Sequence, residues 1–239
     1  MSDADMTLPP VPVIGAALRK TTQRIAHEVA TPGAQAPDWS NFEWRVAMAA
    51  AVMHGVSALL AKRLRWRGPP VWEAFLAEQR HQGRLRQRRI VDVLAQVDRA
   101  AIQADLACVG LKGSALLGLG LYRAGERPMA DIDLLLRGED LEAAAHMLKA
   151  LAYVEGIATW KHRIFIPASM PEAVEFGEHA DNPIKIELHA RIVERLPVRD
   201  TEITSQVLTH QARAGLNPYP SERALMRHLL RRDLRVANG

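Results

Sequence analysis

The segment from Val109 to Leu136 constrains the fold of this chain more than any other part of the sequence. It opens inside a short apolar run, Ala107 to Leu111, which has the length of a buried strand. The chain must turn at Gly113-Ser114, where Ser114 can cap a short apolar helix. A loop then leads to a second apolar run, Asp131 to Leu136. The segment therefore predicts a strand, a turn into a helix, a loop and a second strand.

Two carboxylates alternate along the second predicted strand. Asp131 and Asp133 share one face because side chains two residues apart in a strand point the same way, about 6–7 Å apart along the chain. Ile132 and Leu134 take the opposite, buried face. Carboxylates on one face repel unless a cation lies between them, and hard divalent ions prefer oxygen ligands. The helix that follows Gly113 presents unpaired N–H groups at its N-terminus, which attract phosphate.

The combined pattern resembles the polymerase-beta-like nucleotidyltransferase superfamily. The signature of that superfamily is a Gly-Ser or Gly-Gly turn, an acidic-x-acidic strand and a third carboxylate on a later strand. The pattern is most similar to the branch known as uncharacterised nucleotidyltransferases. The shared features are the Lys112-Gly113 turn, the apolar helix from Leu116 to Tyr122, Arg127, and the strand from Asp131 to Leu135. The similarity extends from Val109 to about Ile192, with a weaker match upstream around His54-Gly55.

A later stretch, Ile184 to Ile192, alternates strictly between apolar and polar residues and predicts a half-buried strand. Its outer face carries Glu187 and His189. In the family that the chain resembles, this position holds an acidic-apolar-His motif, which implies that Glu187 is the third carboxylate. Two alternatives stay open: a merely solvated charged face, and a zinc site of His and carboxylate ligands, which the hard aspartate oxygens disfavour.

The resemblance implies transfer of a nucleoside monophosphate from a nucleoside triphosphate to an unknown acceptor, which is a small molecule, a protein or an RNA. The catalytic residues would be Asp131, Asp133 and Glu187, which would also hold two Mg²⁺ ions. The nucleotide-binding residues implied in the same way are Lys112, Gly113, Ser114, Arg127 and His189. The alternatives are that Lys112 faces away from the turn and that Arg127 only pairs with an aspartate.

We predict an α+β fold, with a small mixed sheet that carries the carboxylates on one face and is backed by helices on the other. Residues 1–105 are predicted to form an N-terminal helical region, 106–199 the nucleotidyltransferase-like core and 200–239 a C-terminal helical segment. The C-terminal segment is short compared with the family pattern, so a homo-oligomer or a protein partner is expected to cover an apolar face.

Local signals place elements within these regions. Ser40 and Glu43 form a capping-box pattern, which predicts that a helix begins after Ser40. Gly68-Pro69-Pro70 should end the helical run, and a long helix is predicted from about Val71 to Ala104. Asp200 to Leu208 is also predicted to be helical.

Composition excludes several classes of protein. The one cysteine, Cys108, lies in an apolar run, so the chain cannot form an internal disulfide framework or a cysteine-based zinc site. The N-terminus lacks the pattern of a signal peptide. The longest apolar stretch, Val46 to Ala61, is too short to span a bilayer comfortably. A cytoplasmic protein without a membrane partner is therefore expected.

The sequence is also compatible with two other functions. A basic run on the predicted long helix is more typical of a solvated face than of an RNA-binding surface, although RNA stays a candidate partner. This run comprises Arg80, Arg84, Arg86, Arg88 and Arg89. The fold could also serve as a weakly active or inactive binding module, such as a regulator or the neutralising half of a toxin pair.

Overall fold

The computed structural model describes residues 8–156, 162–169, 176–195 and 200–233. The α-helices of this part are α1 (Val11–Ala30), α2 (Asn41–Met53), α3 (Ser57–Arg63), α4 (Pro70–Gln103), α5 (Gly113–Gly118), α6 (Leu141–Ala150), α7 (Thr204–Val207) and α8 (Glu222–Asp233). The strands are β1 (Ala107–Gly110), β2 (Asp131–Leu135), β3 (Tyr153–Glu155), β4 (Arg163–Pro167), β5 (Lys185–His189), β6 (Val193–Arg195), β7 (Asp200–Glu202) and β8 (Gly215–Asn217).

The chain divides into two compact units. The first contains the described residues up to Arg86, together with Ala124–Pro128 and 176–180. The second contains Gln87–Arg123 and the described residues of 129–174 and 181–239.

Tryptophan rings build the core of the first unit. The ring centroids of Trp39 and Trp44 lie 4.7 Å apart, and those of Trp44 and Trp72 lie 5.4 Å apart. Aromatic pairs of this kind contribute about 0.5–1.5 kcal/mol beyond the area that they bury. The predicted capping box is present at the start of α2: the Ser40 side chain accepts from the Glu43 N–H, and the Glu43 carboxylate accepts from the Ser40 N–H.

A six-stranded mixed sheet forms the centre of the second unit, in the order β3-β4-β5-β2-β1-β8. The pairs β2–β5 and β1–β8 are parallel, and the other pairs are antiparallel. One face packs against α6 and the second half of α4, with Phe165, Ile132 and Leu148 fully buried. Full burial of each such side chain stabilises the fold by about 1.5–3 kcal/mol. The predicted α+β class with a small mixed sheet is confirmed.

The register between β2 and β5 positions the acidic residues. Ile132 pairs with Ile186, and Asp133 pairs with Glu187. Directly paired residues of neighbouring strands point to the same side of a sheet. The apolar members therefore share the core face, and the acidic members share the opposite face.

The segments that contain β7 and β8 differ from the sequence predictions. The stretch predicted as a helix from Asp200 to Leu208 begins as β7 and becomes helical only over Thr204–Val207, because the first three residues pair with β6. The edge strand β8 was not predicted. It is three residues long, and distant groups hold it: the Gly215 N–H donates to the Leu106 carbonyl at 2.8 Å, and the Leu216 N–H donates to Asp98 Oδ1 at 2.7 Å.

Among the described residues, no single helix is long and apolar enough to cross a membrane. The helices α2 and α3 reach the necessary length and apolarity only together, and they bend by 112° at the break between them.

Candidate functional site

The chain leaves β1 through a tight turn from Leu111 to Ser114. The Ser114 N–H donates to the Leu111 carbonyl at 3.1 Å, and the Leu111 N–H donates to the Asp133 carbonyl at 2.9 Å. Lys112 has φ 47° and ψ −110°, the backbone conformation of the first central residue of a type II′ turn, where glycine is usual. A non-glycine residue held there costs about 1–3 kcal/mol, and such strain is concentrated at functional sites.

Packing favours glycine at position 113, whereas the positive φ of the turn falls on Lys112. A Cβ atom at this position would lie 3.0 Å from Cε of Met129 and 3.2 Å from its Sδ. Contacts this short would force the methionine to move. The glycine therefore lets this turn, which we call the corner (Lys112–Ser114), pack closely against Met129, which precedes β2.

Ser114 differs from its predicted role as a helix cap. The N-cap residue of α5 is Lys112, so Ser114 lies inside the first turn, and no side chain caps this end. Only 6% of Ser114 is exposed, and its Oγ has no hydrogen-bond partner within the part of the chain that the structure describes. An unpaired buried hydroxyl costs about 1–3 kcal/mol.

Asp133 is the most buried acidic group at this site, with 3% of the residue exposed. The Lys112 Nζ donates to its Oδ1 at 2.6 Å, and the Nε2 of His189 lies 2.9 Å from the same oxygen. Burial by itself would raise the pKa of this carboxyl group. The hydrogen bond from His189 and the charge of Lys112 outweigh burial and lower the pKa to about 2. Asp133 is therefore ionised, and the His189 Nε2 must be the donor in their hydrogen bond.

Glu187 lies beside Asp133 on the neighbouring strand and is half-buried. Its Oε2 is 3.5 Å from the Nε2 of His189 and 3.7 Å from the Nε2 of His162. The ring centroids of the two histidines are 5.1 Å apart. The charged face of β5 is therefore in contact with the start of β4.

Asp131 is half-buried and pairs with Lys185 in the β2–β5 register. It shares a face with Asp133 because it lies two residues away on the same strand. Among the described residues its carboxylate forms neither an ion pair nor a hydrogen bond, in contrast to Asp133.

The structure brings together most of the residues that the sequence singled out. Lys112 contacts Asp133 and does not face away from the corner, and Glu187 with His189 lies on the face of the aspartates. Arg127 groups with the first unit, and its assignment to nucleotide binding stays a prediction. His162 was missed. It precedes β4, where Arg163 pairs with Leu188, and the same register brings His162 opposite His189.

Tyr219 supports the corner from the segment that follows β8. Its hydroxyl lies 2.6 Å from the Nδ1 of His228, and it forms a hydrogen bond with the backbone of Lys112. Burial raises the pKa of the Tyr219 phenol, although the Lys112 backbone opposes that shift. These contacts help to hold Lys112 in its strained conformation.

A pocket of about 330 Å³ opens beside the corner. Most of its lining is apolar. The lining includes Gly110, Ser114, Gly118, Leu216, Tyr219 and Leu225. The volume falls in the lower part of the range of small-molecule sites, about 300–1,000 Å³, and the buried Ser114 offers a polar group at its wall.

Comparison with known proteins identifies one family. The model of the family described as uncharacterised nucleotidyltransferase matches residues 40–229, which is most of the chain. No curated protein and no solved structure matches the chain.

Proposed function

This chain belongs to the uncharacterised nucleotidyltransferase family, and on that premise we propose that it transfers a nucleoside monophosphate from a nucleoside triphosphate to an acceptor. Membership confirms the resemblance noted in the sequence. The single observation that carries the proposal is the common sheet face of Asp131, Asp133 and Glu187, which lies next to the Lys112–Ser114 corner.

The donor set fits divalent cations. Asp131, Asp133 and Glu187 offer only carboxylate oxygens, which are the ligands that Mg²⁺ prefers. Asp133 is ionised, as a metal ligand must be. We propose that these three residues hold two Mg²⁺ ions. When bound, the ions would activate the attacking oxygen and neutralise charge on the leaving pyrophosphate.

Other residues of the corner act on the triphosphate directly. Ser114 Oγ donates to a phosphate oxygen, which gives this buried hydroxyl the partner that it otherwise lacks. The Lys112 ammonium, already within 2.6 Å of Asp133, contributes positive charge beside the phosphates. His189 positions Asp133 through their hydrogen bond. These groups act by orientation and electrostatics, as is usual in phosphoryl transfer.

The 330 Å³ pocket is proposed to hold an apolar part of one substrate. Ser114 lies at the wall of this pocket, so a substrate whose charged end contacts Ser114 can extend into it.

The proposal is tested by release of pyrophosphate from each of the common nucleoside triphosphates in the presence of Mg²⁺. We expect release with at least one of them, and we expect it to be abolished in the double variant Asp131→Ala with Asp133→Ala. The matched control is Glu139→Ala with Asp140→Ala, which removes two acidic groups just beyond β2. Persistent release in the aspartate variant would contradict the proposal.

A second candidate function has its own support. Lys112 and His189 both contact Asp133, so the protein itself provides a positive charge, from Lys112, and a hydrogen-bond donor, from His189, to this carboxylate. A family member kept as a binding module, for a protein partner or RNA, would have such a self-neutralised site. Calorimetry separates the two functions. Equal binding of a partner by the wild-type chain and by the aspartate double variant, with no turnover, would favour the module.

A further inference from the structure

A second group of ligands lies beside the aspartate pair and differs from it in chemistry. His162, Glu187 and His189 each offer one ligand atom, and these atoms all lie within 4.8 Å of one another. All three residues are half-buried. We propose that they bind a divalent transition-metal ion, and that Zn²⁺ fits the site better than Mg²⁺ does.

The distances suit a small coordination sphere. In a tetrahedral site with metal–ligand bonds of about 2.0 Å, neighbouring ligand atoms are about 3.3 Å apart. The Oε2 of Glu187 lies 3.5 Å from one imidazole nitrogen and 3.7 Å from the other. The two imidazole nitrogens lie within 4.8 Å of each other, so rotation of the histidine side chains would complete the coordination geometry.

The donor types select the ion. Two imidazole nitrogens and one carboxylate oxygen are typical of Zn²⁺ and of other first-row transition ions, and two histidines with a glutamate form the ligand set of several zinc enzymes. Magnesium and calcium instead prefer oxygen ligands throughout. The cluster therefore favours an ion of a different class from the ions that the aspartate pair suits.

The site has a fourth donor and a firm scaffold. Oδ1 of Asp133 lies 2.9 Å from the Nε2 of His189, close to a ligand-to-ligand separation. Binding through that nitrogen requires the neutral imidazole tautomer with its proton on Nδ1, and Asp133 would then contact the ion instead of the Nε2–H group. His189 lies on β5 and His162 directly precedes β4, and the antiparallel pairing of these strands brings the two histidines together.

Glu187 connects this site with the aspartates. Both histidine contacts fall on its Oε2, and a carboxylate has a second oxygen that can serve a neighbouring ion. The inference does not depend on the proposed reaction, since the ligands would bind the ion whether or not the chain transfers nucleotides.

The test uses the full chain without an affinity tag, after removal of metals with a chelator. Equilibrium dialysis against Zn²⁺ in millimolar Mg²⁺, with metal counted by mass spectrometry, gives the stoichiometry and the affinity. Co²⁺ substitution reports low coordination number through intense visible absorption. We expect one zinc ion per chain and a loss of affinity of at least about 100-fold in His162→Gln. Loss of a direct ligand should exceed the 10–100-fold loss typical of removing a group that only hydrogen-bonds to a ligand.

His146→Gln is the matched control, because His146 is exposed on α6 and away from the cluster. It should bind zinc like the wild-type chain. Glu187→Gln is a second ligand variant and should also weaken binding, which keeps the test decisive if His162→Gln does not fold. Wild-type affinity in both ligand variants, or displacement of zinc by an equal concentration of Mg²⁺, would overturn the proposal. Equally weak zinc binding by the wild-type chain and all variants would also overturn the proposal.

The outcomes separate this inference from the proposed function. Zinc binding without pyrophosphate release would support the zinc site and contradict the proposed nucleotidyl transfer. Pyrophosphate release in zinc-free buffer, by a chain that does not bind zinc, would support the transferase and contradict the zinc site.

Discussion

On one face of β2 and β5, Ile132 and Ile186 are fully buried in the apolar core. On the other face, the same strands carry Asp133, Glu187 and His189. The hydrophobic effect alone explains the burial of the first face. It does not explain the burial of charge on the second face, because a buried ion pair is often no more stable than well-packed apolar residues of similar size. Burial of Asp133 beside Lys112 is therefore not explained by comparison with an apolar pair of similar size, which would be about as stable.

The largest effect on folding is expected from the apolar face. Ile186→Ala should lower the free energy of unfolding by about 2–5 kcal/mol, because the site lies among well-packed residues that cannot fully collapse onto the cavity. Urea denaturation measures this loss. Pyrophosphate release per folded molecule should change far less than in variants of the charged face. A loss below 1 kcal/mol would contradict the description of this face as the core.

The charged face should make the stability of the fold depend on pH. The pKa of Asp133 in the folded chain, about 2, lies below its ordinary value near 4. A depressed pKa stabilises the fold above the unfolded-state value and ceases to do so as the pH falls through the folded-state value. The contribution is about 2–3 kcal/mol, present above about pH 4 and lost by about pH 2.

The measurement compares the wild-type chain with Asp133→Asn, which cannot titrate, in metal-free buffer. The difference between their free energies of unfolding should shrink by about 2–3 kcal/mol between pH 5 and pH 2. Other carboxyl groups titrate in both proteins and cancel in the comparison. A difference that does not vary with pH would show that Lys112 and His189 do not favour the ionised form of Asp133.

A smaller effect on stability is expected at the Lys112–Ser114 corner. Gly113→Ala places a methyl group 3.0 Å from Met129, and overpacking of this kind costs about 1–3 kcal/mol. Gly138→Ala is the control, because a Cβ atom at Gly138 meets no other atom within 4 Å. Thermal unfolding of both variants checks the difference. Equal stability would mean that Met129 yields readily and that the glycine has another role.

The smallest effect on stability, with the opposite sign, is expected in the pocket. Gly118 lies in α5 with a negative φ, and a Cβ atom there meets nothing within 4 Å. Gly118→Leu should therefore stabilise the helix by up to about 1 kcal/mol. The new side chain would occupy part of the 330 Å³ pocket and raise KM for the substrate that enters it. Unchanged KM for every substrate would remove the pocket from the proposed function.

Sequence patterns predicted the two faces of β2 and β5 separately, because an alternation of period two assigns each residue to one side of its strand. They could not place Glu187 next to Asp133, since that depends on the parallel register of the two strands. The third carboxylate followed from the resemblance to the family. His162 was missed for the same reason: only the β4–β5 register brings it to His189.

The sequence also did not predict the local backbone geometry at the corner. Ser114 was expected to cap α5, but the helix begins two residues earlier, with Lys112 as its N-cap residue. A lysine in a positive-φ conformation is uncommon and has no sequence signal. It depends on tertiary contacts, namely its ion pair with Asp133 and the hydrogen bond between its backbone and Tyr219.

The most direct test of the central claim is a crystal structure of the chain with Mg²⁺ and a non-hydrolysable nucleoside triphosphate. We predict magnesium bound to Asp131, Asp133 and Glu187, with the triphosphate in contact with Lys112 and Ser114. A triphosphate bound elsewhere, with Lys112 still paired to Asp133 and no ion on the three carboxylates, would contradict the claim.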